Sequence, residues 1–341
     1  MNPKAFVSAE MDYEIAKELE EYLDIEYDWG NAVLSEDRMK ALCADKDILI
    51  TSYDPVTRAV IDASPNLGLI VCTRANPVNV DTAYAAEKGI PVSYAVDRNA
   101  DTTAEFTMGL ILALTRRIAF AYRDLCGGRF VAEDIGSHGS ESAKRDVTWS
   151  TGEESPYVTY KGFQLKGHSV GIVGLGSIGR RVARLCHAFG MEVWATPSRT
   201  RPEEIPDYVH IAALEEFAPI VDVLTVHLKD TPSTQKLINA DIFRAMKKTA
   251  VLINDSRGAV VDEDALVQAL REGEIAGAAI DVFPTEPIAK DHPFFSMPDK
   301  VLITPHIAGA TWDAIANHTR EFVTDVKHFL NGEPLEYEYR K

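Results

Sequence analysis

The chain has 341 residues, of which 46% are hydrophobic and 26% charged, an ordinary globular balance with room for two medium domains. Acidic residues number 52 against 35 basic ones, a net charge of −17. That excess excludes a non-specific nucleic-acid coat, because phosphate backbones require a positive face, while a small anion needs only a local positive spot.

Short apolar runs alternate with helical patterns almost throughout. Residues 4–9 read as a strand, followed by a helix over 12–22. Strands are predicted at 47–51, 67–72 and just after Gly89-Ile90-Pro91, with a helical piece at 81–88 between the last two. Strands separated by helices of this length imply βαβ units and parallel sheets. Residues 101–123 (DTTAEFTMGLILALTRRIAFAYR) read as one long helix. The stretch 127–160 is rich in Gly, Ser and charges and reads as a long excursion with one short helix. A second α/β series has strands at 169–173, 191–195, 221–226, 250–253, 276–280 and 301–303, and helices at 178–189, 239–246 and 262–271. A last helix covers 311–330.

The four cysteines (Cys43, Cys72, Cys126, Cys186) form no CxxC and no cluster of metal-ligand spacing. Reduced thiols in the cytoplasm, and no metal, are the expectation. The N-terminus turns acidic before a run of signal-peptide length develops, and the apolar stretch 106–114 ends in Arg116-Arg117, too short for a bilayer. No membrane partner is expected.

The segment SVGIVGLGSIGRRVARLCHAFG carries Gly174, Gly176 and Gly179 in a G-x-G-x-x-G pattern between a strand and a helix. The first glycine permits the turn, the second admits a pyrophosphate, and the third lets helix and strand approach. Ser177 and Ile178 open the helix, whose free N–H groups would hold the anion. An acid at the end of the next strand would bind the ribose 2′-hydroxyl of NAD. Here stand Thr196 and Pro197, then Ser198, Arg199 and Arg201. A hydroxyl and a guanidinium suit a 2′-phosphate, which favours NADP; with these arginines merely solvated, the cofactor is NAD.

Three later segments, VLINDSRGAVVDEDAL, AGAAIDVFPTEP and VLITPHIAGAT, place Arg257, Glu286 and His306 just beyond apolar runs. Ligand crevices of open α/β sheets lie at those strand ends. With the glycine motif, the ordered set NDSRG, DVFPTEP and TPH resembles the D-isomer-specific 2-hydroxyacid dehydrogenases, over stretches from 69–105 through 167–311.

The resemblance implies two Rossmann-like parallel-sheet domains. A flavodoxin-like substrate domain would be built from 1–115 plus 312–341, and a dinucleotide-binding domain from 116–311. It implies NAD(P)H, a small 2-keto or 2-hydroxy acid, and a homodimer. Arg257 would bind the substrate carboxylate. His306 would exchange a proton with the keto oxygen, and Glu286 would hold the ring and fix its tautomer. Asp281 matches an aspartate near the nicotinamide amide, and Asn254 would support the backbone before Arg257. Arg74, Ala75 and Asn76 occupy the substrate loop where many relatives are glycine-rich. Arg74 either reaches the substrate or pairs with a nearby acid. Asp255 replaces a usually small or apolar residue. Formate dehydrogenases share the fold but pair the histidine with glutamine, so Glu286 argues against that branch. The alternative to an enzyme is an NAD(P)-binding regulatory protein of the same fold with little or no turnover.

Overall fold

The computed structural model describes residues 2–28, 30, 32–131, 155–197 and 200–340. The chain forms two compact units, Met1–Thr102 with Ala310–Lys341, and Thr103–Gly309.

The first unit is a parallel sheet of β1 (Lys4–Val7), β2 (Asp24–Tyr27), β3 (Ile48–Thr51), β4 (Leu69–Cys72) and β5 (Val92–Tyr94), in the order β2-β1-β3-β4-β5. That is the flavodoxin-like order. The connecting helices are α1 (Tyr13–Ala16), α2 (Glu36–Cys43), α3 (Arg58–Asp62) and α4 (Thr82–Glu87). Successive strand residues face opposite sides. Ala5, Val7, Ile48, Ile50, Leu69 and Val71 therefore pack on one face. Phe6, Leu49 and Ile70 pack on the other, with Met39 and Val60.

Next come α5 (Ala100–Thr115), α6 (Ile118–Cys126) and α7 (Pro156–Thr159). The second sheet holds β6 (Ser169–Val173), β7 (Glu192–Ala195), β8 (Val209–Ile211), β9 (Val223–Val226), β10 (Val251–Asn254), β11 (Gly277–Ile280) and β12 (Val301–Ile303). Its order is β12-β11-β10-β9-β6-β7-β8, all parallel. Counted from β6, this is the dinucleotide-binding order with one strand added. Its helices are α8 (Ser177–Ala188), α9 (Leu214–Phe217), α10 (Ala240–Ala245) and α11 (Glu263–Glu272); α12 (Trp312–Asn331) returns to the first unit. No described helix is long and apolar enough to cross a membrane.

Three features depart from the sequence reading. The division falls at 102/103 and 309/310, not at 115/116 and 311/312. Most of α5 goes with the second unit because Ala104, Met108, Ile111 and Leu114 share one buried cluster with Val170, Ile172 and Val251. The helix expected over 101–123 is two helices, broken at Arg117, whose φ is 59°. There the Thr115 carbonyl accepts from Phe163 N–H at 3.2 Å instead of continuing the helix. Finally, β2 and β8 are edge strands with mostly uncovered side chains, so neither has the apolar run that marks a buried parallel strand. The excursion at 127–160 lies mostly outside the described residues; its end carries α7, capped by the Ser155 hydroxyl.

Candidate active site

The glycine turn joins β6 to α8. Gly174 has φ of +104°, and a Cβ there would strike the His227 carbonyl oxygen at 2.6 Å; only glycine fits this position. A Cβ on Gly179 would fall 2.1 Å from Gly174 O. Gly176 is different: it precedes α8 with no side-chain cap, and a Cβ there would meet nothing within 4 Å among the described residues. The open face and the uncapped N–H groups of Ser177, Ile178 and Gly179 fit a dinucleotide pyrophosphate. Thr196 accepts a hydrogen bond from Gly174 N at 2.9 Å, and Thr200 donates to Leu175 O at 2.6 Å. The chain on both sides of Ser198 and Arg199 is thus fastened to the turn, while those two residues lie outside the described set. Arg201 is paired with Glu204 at 2.6 Å.

The glycines separate fold from binding. Gly179→Ala should cost about 1–3 kcal/mol of stability by overpacking. Gly176→Ala should leave stability within about 0.5 kcal/mol but weaken nucleotide binding. Thermal unfolding and fluorescence titration read the two effects. Unimpaired binding by Gly176→Ala would contradict the pyrophosphate reading.

Arg257, Glu286 and His306 all follow strands of the second sheet. His306 Nδ1 lies 2.7 Å from Glu286 Oε2, and Glu286 Oε1 accepts from Phe283 N–H at 3.0 Å. Burial pushes the Glu286 carboxyl up, but the hydrogen bonds from His306 and Phe283, with the charges of His306 and Arg257, bring it below its ordinary value. An ionised carboxylate only accepts, so Nδ1 carries the proton and Nε2 is the position free to exchange one.

His306 is itself strained, with φ of 57°. Asp281 enforces that backbone. It is fully buried; its carboxylate accepts from Thr304 Oγ1 at 2.5 Å, Ile307 N–H at 3.0 Å and Ala308 N–H at 2.9 Å. Its carbonyl takes His306 N–H at 2.8 Å. The described partners of the Asp281 carboxylate therefore belong to the turn that aims His306. Asn254 shapes the other segment: its Nδ2 donates to Arg257 O at 3.1 Å, and its Oδ1 accepts from Ser256. Arg257 is exposed, and the adjoining Gly258 leaves no room for a Cβ against Phe283 and Pro284. This close approach brings the arginine segment against the one leading to Glu286.

In the first unit, Arg74 follows β4. Its guanidinium lies 4.5 Å above the centre of the Tyr53 ring, so the described side chain rests on an aromatic face rather than on an acid. Ala75 and Asn76 are exposed beside it.

Residues 108–308 match the family described as D-isomer specific 2-hydroxyacid dehydrogenase, NAD binding domain. The chain belongs to this family. A glyoxylate reductase of Thermofilum pendens is 37% identical over 273 residues, 79% of this chain and 74% of that one. A glyoxylate reductase of Korarchaeum cryptofilum is 31% identical over 335 residues, 98% of this chain and 94% of that one. The crystal structure of an NADPH-dependent glyoxylate/hydroxypyruvate reductase from Sinorhizobium meliloti, in complex with NADP and malonate, is 28% identical. It has a TM-score of 0.73 and covers 99% of this chain and 97% of its own. As a D-2-hydroxyacid dehydrogenase, the protein is an NAD(P)-dependent oxidoreductase of 2-keto and 2-hydroxy acids.

Two residues of this dehydrogenase were not recognisable as a unit in the sequence. His227 follows β9 and Asp255 follows β10, and both side chains are sealed from solvent, with His227 Nδ1 3.7 Å from Asp255 Oδ1. The only sign was an acid in NDSRG where a small or apolar residue is usual.

Proposed function

We propose that the protein reduces a small 2-keto acid of the glyoxylate or hydroxypyruvate class to its 2-hydroxy acid, reversibly, and prefers NADPH to NADH. The observation that carries this is the 2.7 Å contact between His306 Nδ1 and Glu286 Oε2. Arg257 takes the substrate carboxylate in its planar fork. His306 delivers a proton from Nε2 to the keto oxygen, while Glu286 keeps the ring in the required tautomer. The nicotinamide, when bound, supplies the hydride to C2. Gly174, Gly176, Ser177, Ile178 and Gly179 hold its pyrophosphate. Arg74, Ala75 and Asn76 contact the rest of the substrate. The names of the relatives support the substrate size.

The NADP preference is supported by the hydroxyl of Thr196 standing where an NAD enzyme has a carboxylate. Arg199→Ala should weaken NADPH binding more than NADH binding; equal losses would remove the 2′-phosphate role. The proposed partner is a second copy of this chain. Ile118, Tyr122 and Leu125, 53–72% exposed, lie along one face of α6 at helical spacing, an apolar stripe suited to a dimer. A cytoplasmic setting accords with four unbridged cysteines. Measuring kcat/KM for a set of 2-keto acids with both reduced cofactors tests the whole reading. Small 2-keto acids with NADPH should give the largest values; binding of both nucleotides without turnover would favour a regulator.

A further inference from the structure

At the carboxyl ends of β9 and β10 lies a buried acid that the reaction described above does not use. The Asp255 side chain has no solvent exposure, and among the described residues its Oδ1 has no hydrogen-bond partner. Oδ2 is 2.5 Å from Thr107 Oγ1, and that hydroxyl is also 2.8 Å from the Thr103 carbonyl. A hydroxyl has one proton and a carbonyl can only accept. Both contacts can be hydrogen bonds at once only if the one to Asp255 takes its hydrogen from the carboxyl. Asp255 is then a neutral acid whose Oδ2–H donates to Thr107.

The surrounding groups keep it so. From β9, His227 approaches with Nδ1, and its Nε2 is 2.9 Å from Thr225 Oγ1. Burial pulls the His227 imidazole down to about 3, so the ring is neutral and offers no counter-charge. From β11, the charge of Asp281 opposes ionisation; from α5 comes the uncharged Thr107. Burial, and after it the charge of Asp281, push the Asp255 carboxyl up to about 7, while a hydrogen that Thr107 can turn to donate to the ionised form acts the other way. Among the described residues no lysine or arginine pairs with it. His306, on the turn after β12, is the other titratable ring of the site. Glu286, held below its ordinary value, stays ionised near neutrality.

A ligand bound at these strand ends can supply the missing charge. A dinucleotide lies across the strand ends of this fold, its pyrophosphate at the first glycine turn and its two halves on either side. Thr196 and Thr200 lie on the β7 side, where adenosine is read. β9 and β10 begin the nicotinamide side. His227, the neighbour of Asp255, also forms the wall beneath Gly174.

We propose that Asp255 is a proton-linked counter-charge to the nicotinamide: it remains a neutral acid in the free protein and beside the reduced ring, and ionises when the positively charged oxidised ring binds. This rests on the cofactor reading above. The Asp255 O–H bond breaks, one proton goes to solvent, and no electron moves. Below about pH 7, binding of the oxidised cofactor must expel that proton, so its affinity rises with pH by up to about tenfold per unit and then levels off. Affinity for the reduced cofactor has no such slope. In acid the oxidised product therefore leaves more readily after reduction.

Infrared difference spectroscopy and calorimetry test this. At about pH 6, below the Asp255 transition, a protonated-carboxyl band should disappear on adding NADP or NAD and persist with the reduced forms. Asp255→Asn keeps a donor toward Thr107 and should lack both the band and the pH slope of oxidised-cofactor affinity. Asp255→Thr, a second route to a folded variant, should behave likewise, whereas His306→Gln should retain both. Nucleotide binding with an unchanged carboxyl band, or a slope that survives in both Asp255 variants and vanishes in His306→Gln, would overturn the proposal and leave the oxidoreductase assignment intact.

Discussion

His306→Ala should lower kcat for 2-keto acid reduction by about 10²–10⁴-fold, the ordinary worth of a positioned general acid, while the Kd for NADPH changes little. The imidazole stands outside the glycine turn that would hold the pyrophosphate, so its loss removes proton delivery without removing the nucleotide cradle. The turn bearing it is fixed by Asp281 through Thr304, Ile307 and Ala308, so an alanine there keeps the backbone path. Steady-state turnover and nucleotide titration of the same preparation separate the two effects. An unchanged kcat would assign the proton to another group.

Arg257→Ala should act on substrate instead. Removing one member of a charged, hydrogen-bonded pair costs about 2–5 kcal/mol, so kcat/KM for glyoxylate should fall roughly 30-fold to several-thousand-fold. Much of that loss should appear in KM, because the carboxylate is held in the ground state as well as the transition state. Arg257→Lys should recover only part of it, since an ammonium cannot reproduce the two-pronged fork. A kcat/KM within threefold of wild type for Arg257→Ala would move carboxylate recognition elsewhere.

The buried parts of the fold were readable because parallel strands covered on both faces are continuous apolar runs: β3, β4, β6, β9, β10 and β11 each stand within two residues of where apolar stretches such as ILIT, LIVC and VLIN place them. DIEY of β2 and VHI of β8 have one neighbour each and open faces, so no such pattern selects them. The break at Arg117 depends on residues 162–163 reaching Thr115 from far along the chain, which local periodicity does not encode. At the site, residue types and order singled out Arg257, Glu286 and His306. Burial was the missing information: it turns Asp281 inward to hold the histidine turn, rests Arg74 on Tyr53, and seals Asp255 with His227.

Glu286 acts through His306 in one proton-transferring unit, and a double-mutant cycle in kcat/KM over His306→Ala, Glu286→Gln and the pair measures this directly. The expected result is that Glu286→Gln is strongly impairing alone and adds almost nothing once His306 is gone. Losses that multiply independently would contradict it.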